Sequence, residues 1–466
     1  MTYDSCGLPP GWSTLAIANN RRTAVHPIRL LHAIVLVLAF LATDAALAGD
    51  ARHPDDLGVR AQVELEIPSG ARAGSDFDAD RATAAWLATL SADQRARSDA
   101  YFEGGYWLQL WSFLWGLAVA ALILFTRLSA WLRDRTAWTR FPALNAGFYG
   151  AGYIVAAVVL SLPLSLYAGW WREHAYDLSN LTLAEWLIEQ AKSLGVSAVM
   201  GVIGLTVLYA VFRRARRLWW LWGAGAAIVL MTFSLLLAPV FIQPMFNDYK
   251  PLPEGELRDE ILSLARANRI DADEIWWFDA SRQHSRVSAN VAGFGPTTRI
   301  ALNDNLLMRS SQAAIEAVMG HEMGHFVLGH TSRLLTQFAL VLVAGFAFVA
   351  WGFGQLVERF GTRWRVSGIE DPAGFPVLVA MFSVYFFAMT PVTNSISRAG
   401  EMEADLYGLN SARQPDGFAE AAMQLSEYRK IDPHWLEEII FYTHPSGRRR
   451  VETAMRWKAE NLELFT

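Results

Sequence analysis

Long apolar runs at residues 106–125, 147–169, 195–212, 218–241, 334–354 and 375–396 set the rhythm of this chain. Each is near the length of roughly 20 residues with which a helix crosses a bilayer. The first four follow one another with almost no internal charge, a pattern that helices of a soluble core do not show. A shorter run at residues 30–41 lies behind Arg21, Arg22 and Arg29, is followed by Asp44, and leads to Ala46-Leu47-Ala48. It is either a cleaved signal peptide or a short first membrane helix, and both put residue 50 outside the cytoplasm. Elsewhere the period changes. Residues 50–105 are mixed and polar, with a helical stretch at 80–101, and residues 255–268 have the spacing of an amphipathic helix. Residues 274–279 and 298–302 are rich in β-branched and aromatic side chains and predict strands. The pattern predicts a mainly α protein: a polytopic α-helical membrane protein with six or seven membrane helices and a small α+β domain.

Composition supports a bilayer as the partner. Of 466 residues, 53% are apolar and 18% charged, and the net charge of -5 gives no reason to expect nucleic acid. Cys6 is the one cysteine, so any metal must be held by histidine and carboxylate. Arginine placement sets orientation. Arg127, Arg133, Arg135 and Arg140 follow the first long run, and Arg213, Arg214, Arg216 and Arg217 follow the third. The loop between carries Glu173, Asp177, Glu185 and Glu189 against Arg172 and Lys192. The positive-inside rule puts the arginine-rich loops in the cytoplasm and the chain beyond residue 241 outside it.

The chemistry centres on His321-Glu322-Met323-Gly324-His325, inside a predicted helix at residues 311–329. Residues four apart share a helical face, so both imidazoles can reach one ion, with Glu322 beside it to take a proton from water. A catalytic site of this kind has three protein ligands and one open position. His330 lies nine positions from His321, on roughly the opposite face of a continuous helix, and is set aside. The better source of a third ligand is the acidic segment at residues 398–405, which the apolar pair at 334–354 and 375–396 brings back to the same side.

H-E-x-x-H, a two-helix membrane excursion and R-x-x-E-x-x-A-D together resemble the integral-membrane zinc metallopeptidases of the type I CAAX prenyl protease family. The resemblance covers roughly residues 100–460. It implies one zinc ion per chain on His321, His325 and Glu401, with Glu322 as the base. It implies that Asp405 orients a ligand from behind. Tyr442-Thr443-His444-Pro445 with Arg450 resembles the family's H-P-x-x-x-x-R segment, where the histidine faces the metal and steadies the oxyanion. Residues 288–295 resemble the edge strand that holds an extended substrate, with Asn290, Ala292 and Arg450 as candidate substrate contacts. Local sequence alone reads that segment equally as a bulge or hairpin.

The expected division is an extension with the signal peptide or first membrane helix at 1–48, a soluble extracytoplasmic segment at 49–105, and four membrane helices at 106–243. A metallopeptidase domain at 244–333, a membrane hairpin at 334–396 and the remaining catalytic part at 397–466 complete it. The implied activity is a zinc metalloendopeptidase acting on peptides or membrane proteins. The competing reading is a catalytically silent membrane peptide-binding or transport protein that retains the zinc site. A secretion-type N-terminus points to a bacterial inner membrane.

Overall fold

The computed structural model describes residues 63–292 and 298–466, so the expectations for residues 1–48 lie outside the described residues. Helices α1 (Ala79–Leu87) and α2 (Ala92–Phe125) come first. A single helical stretch was expected at 80–101, but Ser91 divides it. Ser91 Oγ accepts from the Gln94 backbone at 3.2 Å and Gln94 Oε1 accepts from the Ser91 backbone at 3.0 Å, a reciprocal cap that starts a new helix. Next are α3 (Leu128–Thr136), α4 (Pro142–Leu166), α5 (Leu183–Arg214) and α6 (Trp219–Leu237). Single π-helical turns prolong α4 and α6 at Tyr167–Trp171 and Ala238–Ile242.

The compact part that follows holds β1 (Tyr249–Pro251), α7 (Glu256–Ala267), β2 (Ile275–Phe278), β3 (Ala289–Ala292), β4 (Arg299–Asn303) and α8 (Asp304–Arg309). It leads into α9 (Gln312–Val327), the long pair α10 (His330–Trp364) and α11 (Phe375–Ala412), and then α12 (Pro415–Leu425), α13 (Trp435–Phe441) and α14 (Gly447–Glu460).

Among the described residues six helices are long and apolar enough to cross a membrane: Ala92–Phe125, Pro142–Ala175, Leu183–Arg214, Trp219–Met245, His330–Trp364 and Pro372–Ala412. Their shared interior includes Tyr149, Tyr209, Phe212, Phe346 and Val349. At one end the arginine-rich connections touch. Arg127 Nε donates to the Arg363 carbonyl at 3.1 Å, Arg133 Nη1 to Asp371 at 2.8 Å, and Arg213 Nη2 to the Glu370 carbonyl at 3.2 Å.

The strands form one sheet in the order β1-β2-β4-β3, with β2 and β4 parallel and the outer pairs antiparallel. Ile261 of α7, Ile275, Ile300 and Leu302 of the sheet, and Met319 and Met323 of α9 share one fully enclosed core. A second core was not foreseen. Trp86 and Leu87 of α1 pack with Leu409, Phe418, Val451 and Met455. Lys458, buried there, reaches Asp416 at 2.5 Å and the Ala71 carbonyl at 2.7 Å. Residues 69–90, expected as a separate soluble segment, thus close the back of the C-terminal helices.

Candidate metal centre

The site is made where α9 crosses α11. Ser311 Oγ caps α9 at the Ala314 backbone, 3.2 Å, and the helix carries His321 and His325 four residues apart. Their rings stand edge to face at 4.7 Å, with Nε2 atoms 3.1 Å apart. The two helices approach at glycine. A Cβ on Gly408 would lie 2.8 Å from His321 N, and one on Gly320 would lie 3.1 Å from the Gly408 carbonyl, so a larger residue would force the helices apart. That approach sets Glu401 Oε2 3.2 Å from His321 Nε2 and 3.5 Å from His325 Nε2. His444 Nε2, from the segment between α13 and α14, is 3.3 Å from the same oxygen.

These residues fit a metal ion. Glu401 Oε2 is buried and has no aligned hydrogen-bond donor among the described residues, although three imidazole nitrogens surround it. Among the described residues, His321, His325 and Glu401 are the group whose ligand atoms converge closely enough to hold an ion. Ligand bonds of about 2.0–2.1 Å in a tetrahedron separate the donors by roughly 3.3 Å, near the spacings seen. Two imidazoles and one carboxylate match the three-ligand pattern of catalytic sites.

The histidines are held from behind. Asp405 Oδ1 lies 2.8 Å from His321 Nδ1 in a bent contact. Arg450 grips the same carboxylate twice, Nε to Oδ2 at 3.0 Å and Nη2 to Oδ1 at 2.5 Å. A carboxylate at Nδ1 keeps the proton there and leaves Nε2 free to ligate. Burial opposes charge on His321, but Asp405 and Glu401 outweigh it and push the ring up to about 9. Protons and metal therefore compete for this ring.

His330 corrects the sequence reading. His330 was set aside on the expectation of a continuous helix from His321, but Gly329 takes a left-handed φ of 65° and ends it. The chain turns, and His330 Nδ1 comes to 2.8 Å from His325 Nδ1. Its Nε2 lies 3.3 Å from Glu403, which Arg333 holds at 2.7 Å. His330 is outside the ligand group and stands directly behind it.

A cavity of about 180 Å³ lies over the site, lined among others by Ala289, His321, Glu322, His444 and Arg450. Burial pushes the Glu322 carboxyl above its ordinary value. Burial, with Arg429 adding to it, pushes His444 down to about 3, so it is a neutral ring at neutral pH. Thr443 Oγ1 is 2.9 Å from its Nδ1.

The edge strand needs a correction of register. The Asn303 backbone donates to the Ser288 carbonyl at 2.9 Å, so residues 288, 290 and 292 turn their backbone groups toward β4. The open edge therefore belongs to Ala289 and Val291. Ala292 pairs with Arg299, whose side chain reaches Gln243 at 2.8 Å, so Asn290 and Ala292 face the end of the fourth span. Asn290 Oδ1 is enclosed there without a hydrogen-bond partner among the described residues. Arg450 lines the cavity, but much of its guanidinium is engaged by Asp405. Asn303, which sequence reasoning passed over, pins the strand: its Oδ1 accepts from the Ser288 backbone at 3.0 Å and its Nδ2 donates to the Arg286 carbonyl at 2.7 Å.

Comparison with known proteins gives the same picture from outside. Residues 251–458 match peptidase family M48, and residues 80–248 match the family described as CAAX prenyl protease N-terminal, five membrane helices. The chain is 31% identical over 298 residues to the uncharacterized metalloprotease YhfN of Bacillus subtilis, covering 64% of this chain and 70% of that one. It is 27% identical over 322 residues to CAAX prenyl protease 1 of Saccharomyces cerevisiae, covering 65% and 70%. Its fold resembles the crystal structure of S. mikatae Ste24p with a TM-score of 0.67 at 20% identity, over 92% of this chain and 99% of that one. The chain belongs to peptidase family M48 and is an integral-membrane metallopeptidase.

Proposed function

We propose that the metal is zinc, one ion per chain on His321, His325 and Glu401, and that the enzyme is an endopeptidase for peptides or membrane proteins met at the bilayer. One observation supports this most: a buried carboxylate oxygen ringed by imidazole nitrogens with Glu322 at the adjoining cavity. When bound, zinc supplies a Lewis acid that polarises the scissile carbonyl and lowers the pKa of water to about 7. Glu322 then takes the proton and delivers it to the leaving amine, and its raised pKa suits both steps. His444 is neutral, and a Thr443 hydroxyl donating to Nδ1 leaves an Nε2–H to meet the charge that grows on the carbonyl oxygen. Asp405 and Arg450 fix the His321 tautomer. An extended substrate pairs along the open edge at Ala289 and Val291.

The catalytic unit joins residues 244–333 and 397–466 around the hairpin 334–396, with α1 packed behind it. Glu401 sits 26 residues beyond the start of α11, about 39 Å along it, past a hydrocarbon layer of about 30 Å. The positive-inside rule supports reading the joined arginine connections as the cytoplasmic end, and on that reading the metal site lies outside the cytoplasm, at a bacterial inner membrane. An alkaline phosphatase fused after Thr466 is expected to be active, and a fluorescent cytoplasmic reporter at that position would reverse the orientation.

The test of the chemistry is zinc content and cleavage of a panel of prenylated and unprenylated peptides by wild type and Glu322→Gln in detergent. Stoichiometric zinc in both with cleavage by wild type alone is expected. Cleavage by Glu322→Gln at the wild-type rate would remove Glu322 as the base.

A further inference from the structure

A second cavity, of about 610 Å³, adjoins the one over Glu322 and shares Val287, Ser288, Tyr428 and Arg429 with it. Its far wall is the start of the first span, with Phe102 and Tyr106. Its basic lining is Arg172, His284, Arg286 and Arg429, and no Asp or Glu stands among the described residues that line it. Such a cavity focuses positive potential on whatever enters.

Two of the arginines are engaged. Arg286 donates to Glu173, and to Tyr101 Oη at 2.9 Å. Arg172 donates to the Tyr101 carbonyl and lies 3.8 Å from Glu173. Arg429 differs. Among the described residues its guanidinium has no hydrogen-bond acceptor and no ion-pair partner, and it stands 5.9 Å from the Tyr428 ring. Burial pulls it below its ordinary value. A partly buried cation with no hydrogen-bonded or ion-paired partner among the described residues, on which Glu401 acts only at longer range, leaves its donors open, and a guanidinium offers a rigid fork of them matched to a carboxylate. Arg429 lines both cavities, so an anion held on it lies at the boundary of the space over Glu322.

We propose that Arg429 is a carboxylate subsite of the substrate: it pairs with one carboxylate of the peptide, either the C-terminus or an acidic side chain, while the chain lies along β3. The aromatic wall then takes the apolar side chains next to that carboxylate. The inference rests on the peptidase reading of the adjoining site and adds an acidic requirement to it.

The test uses four peptides of one sequence, with a C-terminal acid or amide and with Glu or Gln near that end. The zinc-loaded full-length enzyme in detergent cleaves them. The expected preference in kcat/KM is about tenfold or more for the acidic form, as a charge-assisted bidentate pair gives. Preference for acid over amide identifies the C-terminus, and preference for Glu over Gln identifies the side chain. The ratio falls toward one in Arg429→Met and is intermediate in Arg429→Lys. Equal cleavage of all four by wild type overturns the subsite and leaves the peptidase intact. A preference that persists in a folded Arg429→Met also overturns it. If no peptide is cleaved, the peptidase reading is what suffers. Binding of the same four peptides to Glu322→Gln then decides the subsite: an acid preference lost on adding Arg429→Met supports it, and equal binding overturns it.

Discussion

His321 and His325 stand on one face of one helix and converge with Glu401 on a position that could hold one ion, yet the structure braces them in opposite ways. Behind His321 is a buried ion pair, with the Asp405 side chain 3% exposed and Arg450 10% exposed. Behind His325 is an open relay through His330 to Glu403 and Arg333, whose side chains are 48% and 38% exposed. The first brace works in a low dielectric, where each charge depends on the other. The second can exchange its partners for water at little cost. Identical ligands thus differ in how tightly folding and metal binding are linked through them.

Five experiments test this difference. The largest effect is expected from Arg450→Met, which strips the buried Asp405 charge of its two guanidinium bonds, leaves His321 as its remaining partner, and costs about 3–5 kcal/mol of stability. Thermal unfolding of the metal-free protein checks this, and a loss no greater than that of His330→Gln would erase the distinction. Next comes Asp405→Asn, which keeps the shape and removes the anchor of the His321 tautomer. Zinc affinity should fall about 10–100-fold by competition with a chelator.

The third is pH. With His321 pushed up to about 9, a bound metal must displace a proton at neutral pH, so measured zinc affinity should weaken as pH falls below about 9. The stability that the protonated ring lends to the metal-free protein has the opposite slope. It is fully present below about 6.5 and is lost as pH rises through about 9. A titration of the Asp405→Asn metal-free protein should show that slope flattened. The smallest effects belong to the open relay. His330→Gln should cost less than about tenfold in zinc affinity. Arg333→Gln should cost less than about 1 kcal/mol on unfolding, and a larger loss would show that this brace is also load-sensitive.

The membrane spans and the paired histidines were legible in the sequence because both are local periodicities: apolar length in one case, a four-residue step in the other. The acidic segment around Glu401 was legible because two adjacent spans must bring the chain back. What was hidden depended on single residues or on distant ones. Gly329 changes one dihedral angle, and that converts His330 from a residue on the wrong face into a neighbour of His325. The register of β3 depends on its pairing with Asn303, and it gives the open edge to Ala289 and Val291, whereas the candidate contacts Asn290 and Ala292 turn their backbone groups toward β4. Arg450 could be seen as a cation near the site, but its commitment to Asp405 spans 45 residues and has no local signature. The link from Lys458 to Ala71 spans 387 residues and could come only from the fold.

The break at Gly329 has a mechanical counterpart. The histidines hang from a hinge, since α9 ends before α10 begins, whereas Glu401 rides on a helix that continues from Phe375 to Ala412. One ligand is therefore fixed to a rod through the bilayer and two are not. A thinner or thicker lipid layer that tilts this helix acts on the carboxylate directly and on the imidazoles only through the close contact at Gly408 and Gly320, so bilayer thickness becomes a control on how well the ion is held. Zinc retention in vesicles of graded acyl-chain length is where that control would show.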